Sequence, residues 1–396
     1  MTDLKVVAIG DCVCAVETWN PLKAAGEDEF SYIDLSAIDQ ERKQIVEARS
    51  IACDEAPSRA RQLVKQGDVL VSTVRPNLNG VARVGVEHHG ATASTGFCVL
   101  RPVAEKLDGG YAFQWVKSPS FVADMVSKAT GASYPAVSDR IIAESRIPLP
   151  PLPEQRRIAA ILDQADALRA KRREALAQLE SLTQSIFVEM FGDIATNSNQ
   201  WGIKTLAEVT KFENGDRSSN YPSGDDIKST GILFLSTKNI VDDTLSLRNV
   251  SFISESKFAS LSRGKAKRND LLITLRGTLG SCCIFDCEYE TAFINAQMMI
   301  IRPLHVIDST YLHSLLTSKQ TKLHIAHIGR GAAVPQLTSA QLAELAIAVP
   351  PIDVQQAFAT RIQAVESLKT THRASLAELD ALFASLQHRA FVGQLS

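Results

Sequence analysis

From Ile158 onward apolar residues recur three and four positions apart: Ile158, Ile161, Ala165, Leu168, then Ala175, Leu179, Leu182 and Ile186. This spacing is the heptad seam of a long amphipathic helix, interrupted at Arg172 and widened by Leu162, Leu176 and Met190. The pattern returns near the end of the chain as Phe358, Val365, Leu368, Leu379, Leu382 and Leu386, interrupted at His372 and widened by Ile362, Leu376 and Phe383. Pro153 suits a first helical position with Glu154 beside it, and Asp353 with Gln356 three residues on fits a capping box. Gly192 and Gly393 suit the two C-terminal stops. Each helix runs for about 38 residues, roughly 57 Å at the α-helical rise. Two such stripes in one chain most simply bury each other.

Outside the helices the pattern changes to short apolar runs bounded by Gly, Asn and Pro, which read as strands between turn-rich loops. YAFQWVKSPSFVADMVSK (111–128) reads as one helix. Comparing the chain with itself shows a duplication: residues 111–193 lie over 311–393 at a constant offset, Tyr111 over Tyr311, Pro150-Pro151 over Pro350-Pro351, Gln155 over Gln355 and Phe191 over Phe391. Upstream the match weakens but persists, GDVLVST (67–73) over NDLLITL (269–275) and VLRP (99–102) over IIRP (300–303). Each half is a mixed α+β segment followed by a long helix.

Arg172 and His372 are equivalent in the repeat and lie near the midpoints of their helices. In an antiparallel pair the midpoints meet, and a polar pair there fixes register at some cost in stability. The other reading is that both side chains snorkel past the seam to solvent. Arg169, Lys171, Arg172 and Arg173 are interleaved with Glu174 and Glu180, which favours a solvated helix surface laced with ion pairs over a nucleic-acid face.

A chain of 396 residues with 45% apolar content suits two or three globular domains. With no basic-then-apolar leader and no run near the roughly 18 apolar residues of a membrane span, it is expected to be cytoplasmic, with no membrane partner. Seven irregularly spaced cysteines point to reduced, mostly buried thiols, and neither Cys282, Cys283 and Cys287 nor Cys12 and Cys14 has zinc-finger spacing, so no metal is expected. The net charge of −2 provides no strong field for nucleic acid, so DNA binding would rest on local patches or on a basic partner.

Catalytic constellations are missing: there is no GxxxxGK[ST], GxGxxG, HExxH or GxSxG, and no Asn/Asp-Pro-Pro-aromatic loop for a flipped base. Asp243 with Glu255-Ser-Lys257 imitates a metal-dependent nuclease, but the repeat places Cys53 and Glu55 at the matching positions. His88-His89 lacks a third ligand.

The arrangement resembles the specificity subunit of type I restriction-modification systems. The resemblance is carried by IPLPPLPEQRRIAAIL (147–162) and its echo IAVPPIDVQQAF (347–358), by VEMFGD (188–193) and RAFVGQL (389–395), and by GDVLVSTVRPNLNG (67–80). Asp353 and Val354 replace the Pro153-Glu154 pair in the second lead-in. The resemblance implies two homologous α/β target-recognition domains, 1–149 and 194–349, joined by long antiparallel coiled-coil helices, 150–193 and 350–396, in an internal pseudo-twofold repeat. It implies a non-catalytic chain that binds double-stranded DNA. Each domain would read one half of an asymmetric bipartite target, and the helices would set the spacing and dock two methyltransferase subunits. S-adenosylmethionine would sit on those partners and ATP with Mg on a separate restriction subunit, with no cofactor on this chain. Two other readings stay open: a free-standing methyltransferase or nuclease, and a structural coiled-coil protein with no DNA role.

Base reading needs donors and acceptors on loops that enter a groove, Arg for guanine and Asn or Gln for adenine. The candidates in the first half are Arg75, Asn77, Asn79, Ser94, Thr95, Ser133 and Tyr134. In the second half they are Arg276, Thr278, Asn295, Gln297, Arg330 and Gln336. Lys265, Lys267 and Arg268 read as a compact basic loop for phosphate contacts.

Overall fold

The computed structural model describes residues 5–23, 29–193, 197–329 and 336–395. They form two compact units, Met1–Leu176 with His372–Ser396, and Ala177–Thr371. Each unit combines one mixed segment with half of each long helix.

In the first unit the strand Phe97–Pro102 lies between Val13–Cys14 and Val69–Ser72, and Val81–Arg83 closes that antiparallel sheet. A second sheet orders Arg49–Ala52, Glu29–Ile33, Thr92–Ser94 and Ala60–Leu63, with Thr92–Ser94 running parallel to Glu29–Ile33. The second unit repeats both sheets: Thr210–Asn214, Met298–Pro303, Leu271–Thr274 and Cys282–Ile284 in one, and Ser251–Ile253, Ile232–Leu235, Thr291–Ile294 and Lys265–Lys267 in the other. The central strands Val69–Ser72 and Leu271–Thr274 are covered on both faces, which is why VLV and LLIT read as unbroken apolar runs rather than alternating ones.

Residues 111–128 are two helices, Gly109–Val116 and Pro119–Lys128, instead of one. Ser118 takes an extended backbone before Pro119, and its hydroxyl accepts the Phe121 N–H as the N-cap of the second helix. A residue preceding proline avoids the helical region, so Ser-Pro is a break and a restart. Ser318 caps Lys319–Ile328 in the same way in the second unit.

The long helices are Leu152–Phe191 and Ile352–Phe391, stopped by Gly192 and Gly393, both at φ +74°. The first begins one residue before Pro153, and Asp353 sits inside the first turn rather than at the cap. Buried glutamines anchor each lead-in. Gln155 Oε1 accepts the Asp108 N–H at 2.9 Å while its Nε2 donates to Lys106 O and Pro150 O. Gln355 makes the matching bonds to Asp308, Val306 and Pro350. Gln155→Leu is expected to strand these buried groups and lower stability by about 2 kcal/mol or more; equal denaturation midpoints of variant and parent would contradict this.

The heptad seam runs one residue away from the sequence reading at alternate positions. Leu168 and Leu382 are 48% and 50% exposed in the first unit, and Leu182 and Leu368 are 43% and 51% exposed in the second. The seam instead takes Leu162, Arg169, Phe383 and Ala390 in one unit, and Ile362, Lys369, Thr183 and Met190 in the other. Charged residues enter it because acids on both helices supply their partners, Asp166 and Glu366 on the same helix and Asp380 and Glu180 on the opposite one. Arg169 Nε donates to Asp380 at 2.6 Å and its guanidinium lies 4.3 Å from the Phe383 ring centre. Lys369, 2% exposed, donates to Thr183 at 3.1 Å and lies 2.9 Å from Glu180. These contacts run antiparallel within each unit: Arg157 reaches Leu395 O in the first, and Arg361 reaches Glu189 in the second. Arg172 and His372 meet, Nη1 to Nδ1 3.2 Å, both half-buried.

Candidate nucleic-acid interface

In the first unit three loops meet at one end of the sheet and are tied together by backbone hydrogen bonds. Thr73 N–H donates to Gly96 O at 2.9 Å, Val137 N–H to Thr73 O at 2.9 Å, and Arg75 N–H to Pro135 O at 2.7 Å. The second unit builds the same junction: Leu275 N–H donates to Gln297 O at 2.8 Å, and Leu337 N–H to Leu275 O at 2.9 Å. Loops from distant points of the sequence therefore converge twice, at equivalent places.

The junction brings most of the base-reading candidates together. Arg75, at φ +51°, stacks on Tyr134 with 4.7 Å from guanidinium to ring centre, and Tyr134 is 68% exposed. Asn77, Thr95 and Ser133 are exposed. Ser94 is buried, its hydroxyl accepting the Gly96 N–H at 3.1 Å, so it shapes the turn. Asn79, at φ +47°, is half-buried, with its amide donating to Lys117 O. In the second unit Arg276 Nη2 donates to Gln336 Oε1 at 3.1 Å, Thr278 and Gln297 are exposed, and half-buried Asn295 accepts the Gln297 N–H. Arg330 lies outside the described residues.

The basic cluster is placed differently. Lys265–Lys267 is an edge strand, not a loop, and Lys265 Nζ lies 4.8 Å from the Phe258 ring centre. Arg268 pairs with Asp286 at 2.7 Å. Lys267 and Arg268 precede the start of Leu271–Thr274, whereas the Arg276 loop follows its far end. The period-2 apolar signal is too short at Lys-Ala-Lys to mark a strand, which is why sequence reasoning took it for a loop.

The sequence reading also missed an ion pair at the opposite end of each central strand from the loop junction. Arg101 grips Asp68 with two bonds, 2.9 and 2.7 Å, and Arg302 grips Asp270 with 2.9 and 2.8 Å. The repeated Asp before the central strand and the repeated Arg-Pro at 101–102 and 302–303 were the available signal. Lys43 was missed as well. Its Nζ donates to Asn79 O at 2.6 Å, and burial, with the Lys117 charge nearby, brings its ammonium down from 10.5 to about 8. With the folded pKa below the unfolded one, the charge opposes folding fully below pH 8, and that penalty fades as pH rises toward 10.5. Lys43→Met is therefore expected to lose ground against the parent between pH 8 and 10.5; a melting-temperature difference that stays flat across that window would contradict it.

Of the nuclease-like residues, Asp243 and Lys257 are spent on structure, and Glu255 is exposed. Asp243 accepts the Cys282 N–H and pairs with Lys322, while Lys257 pairs with Asp226 at 2.9 Å. Among the described residues no group of three or more His, Cys, Asp or Glu could hold a metal ion. The cysteines are free, and burial pushes the Cys98 and Cys283 thiols up to about 12, which leaves them unreactive. No helix among the described residues is long and apolar enough to cross a membrane.

The EcoBI type I restriction enzyme specificity subunit of Escherichia coli is 23% identical over 305 residues, 70% of this chain and 64% of that protein. The MjaVIII specificity subunit of Methanocaldococcus jannaschii is 21% identical over 286 residues, 68% of this chain and 66% of that protein. The chain thus spans just under two thirds of the length of these relatives. A solved structure described as the basis of complex assembly and conformational transition of the type I R-M system is 26% identical with a TM-score of 0.60, covering 100% of this chain and 99% of that one. The type I restriction-modification S subunit of M. genitalium, 15% identical, shares the fold at a TM-score of 0.61 over 99% of this chain and 97% of its own. The family model for the type I restriction modification DNA specificity domain matches twice, at residues 37–181 and 198–381, and so spans both halves of the duplication. The chain belongs to that family.

Proposed function

We propose that this chain selects DNA sequence for a type I restriction-modification complex without carrying out the chemistry. Each unit reads one half of a bipartite double-stranded target through its three-loop junction, and the helix pair sets the separation of the halves. The observation that supports this reading best is the duplicated junction, which presents Arg75 with Tyr134 in one unit and Arg276 with Gln336 in the other. Arginine and glutamine on loops are suited to guanine and adenine edges. Mapping methylated adenines across a genome with and without this chain tests the reading: a bipartite motif should appear only with it, and identical maps would refute it.

The partners in this reading are two methyltransferase subunits carrying S-adenosylmethionine, and a cutting subunit using ATP and Mg. Exposed leucines support two equivalent docking places. Leu168 and Leu382 occupy flanking heptad positions in the first unit, and Leu182 and Leu368 occupy the equivalent ones in the second. Leu168→Asp with Leu382→Asp should cut the bound methyltransferase from two copies to one, as read by the mass of the purified complex; two copies retained would argue against docking there.

A further inference from the structure

Beside the junction of the second unit lies an arm that the base-reading candidates do not include. The chain from Lys211, paired with Arg302, to Phe234 passes through residues 212–233. The matching stretch of the first unit, from Cys14 to Tyr32, is shorter, residues 15–31. The longer connection carries GDRSSN (215–220), in which Arg217, Ser218, Ser219 and Asn220 are exposed.

This arm is built, not loose. Asp216 is 1% exposed, and its carboxylate accepts the Ser218 N–H at 2.7 Å and both the N–H and hydroxyl of Ser262, at 3.2 and 3.1 Å. The Ser218 side chain, followed by these donors, holds it ionised, with its carboxyl down at about 2. A side chain at position 215 would strike the Asn295 carbonyl, so Gly215 lets the arm lie flat against the 295–297 loop. Tyr221 seats the far end of the arm against Phe234 and Phe293, both at 6.1 Å between ring centres. Arg217 Nη2 donates to Ala296 O at 2.9 Å, and exposed Arg263 follows Ser262 directly.

We propose that Arg217 and Arg263 clamp a DNA phosphate next to the base-reading loops of the second unit. One carboxylate fixes both segments, and the Arg217 bond to Ala296 O leaves its remaining donors available. Phosphate contacts position a protein without specifying sequence, and a chain of net charge −2 depends on such local cations. The inference rests on the DNA-reading function above.

The test uses the full chain in complex with its methyltransferase subunits, a duplex carrying the methylated motif and a scrambled duplex of equal length. Arg217→Gln with Arg263→Gln should weaken binding to both duplexes by the same factor, lower the slope of log affinity against log salt by about 1, the share of one phosphate, and leave the methylated motif unchanged. Arg263→Gln alone touches neither Asp216 nor Ala296, so it should lower the slope in the same direction by less than the double variant does, with no change in melting temperature. An unchanged slope, or a change confined to one base of the motif, overturns the phosphate clamp while the DNA-reading function stands. A parent complex that prefers neither duplex overturns both.

Discussion

Replacing residues 201–346 with the matching segment of another family member is expected to change one half of the methylated motif and leave the other half as it was. The second unit has its own apolar core, in which Leu271, Ile273, Met299 and Ile301 of the sheet pack with Leu312, Leu315 and Ile325. The graft must also meet the helices. Tyr311 packs its ring 4.6 Å from Phe191 and 5.9 Å from Phe187, and Phe358 completes the cluster. The Tyr311 hydroxyl donates to Ala348 O at 2.8 Å, and burial raises its pKa so that it stays protonated as that donor. A donor segment without an aromatic at position 311 would leave a cavity worth about 3–5 kcal/mol, enough to lose the whole unit. Grafts that keep Tyr311 and the Asp308 N–H under Gln355 should therefore exchange one half-motif cleanly. If such a graft altered both halves of the motif, modular reading would be wrong.

The duplication made much of this fold legible. Strand order is the same in both units, and the loops after the central strands were located because GDVLVST and NDLLITL align. The heptad register was not legible, because at 168 and 169, as at 368 and 369, a leucine stands next to a cation, and hydropathy favours the leucine. The structure turns the cation into the seam, where Asp380 and Glu180 reach Arg169 and Lys369 from the opposite helix. Asp166 and Glu366, three residues back on the same helix, are visible locally, but a partner some two hundred residues away leaves no mark in a local window. Ser94 and Asn79 show the same limit at the candidate site. Both are polar loop residues of the type that reads bases, yet Ser94 turns inward onto the Gly96 N–H and Asn79 is held between Lys43 and Lys117. Residue type located the loops, and only the backbone path decided which side chains point out.

Asp68→Ala is expected to lower the unfolding free energy of the first unit by about 3–5 kcal/mol, because it leaves a buried guanidinium without its counter-charge. The side chains are 2% and 12% exposed, so little solvent screens the pair. Asp68 also accepts the Lys65 N–H at 2.8 Å, and Arg101 donates to Leu63 O at 2.9 Å. The pair thus joins the sheet containing Val69–Ser72 to the sheet containing Ala60–Leu63. Asp270→Ala should cost less in the second unit, where Arg302 is 29% exposed and keeps a contact to Glu213 at 3.4 Å. Asp68→Ala with Arg101→Leu separates the charge effect from general damage: with no orphaned cation left, the double variant should be more stable than Asp68→Ala alone. Urea unfolding of the four proteins reads this directly, and strictly additive losses would show that the pair is not coupled. Because the Arg75 loop grows from the strand that Asp68 opens, the single variant should also lose discrimination at the first half-motif before it loses the second.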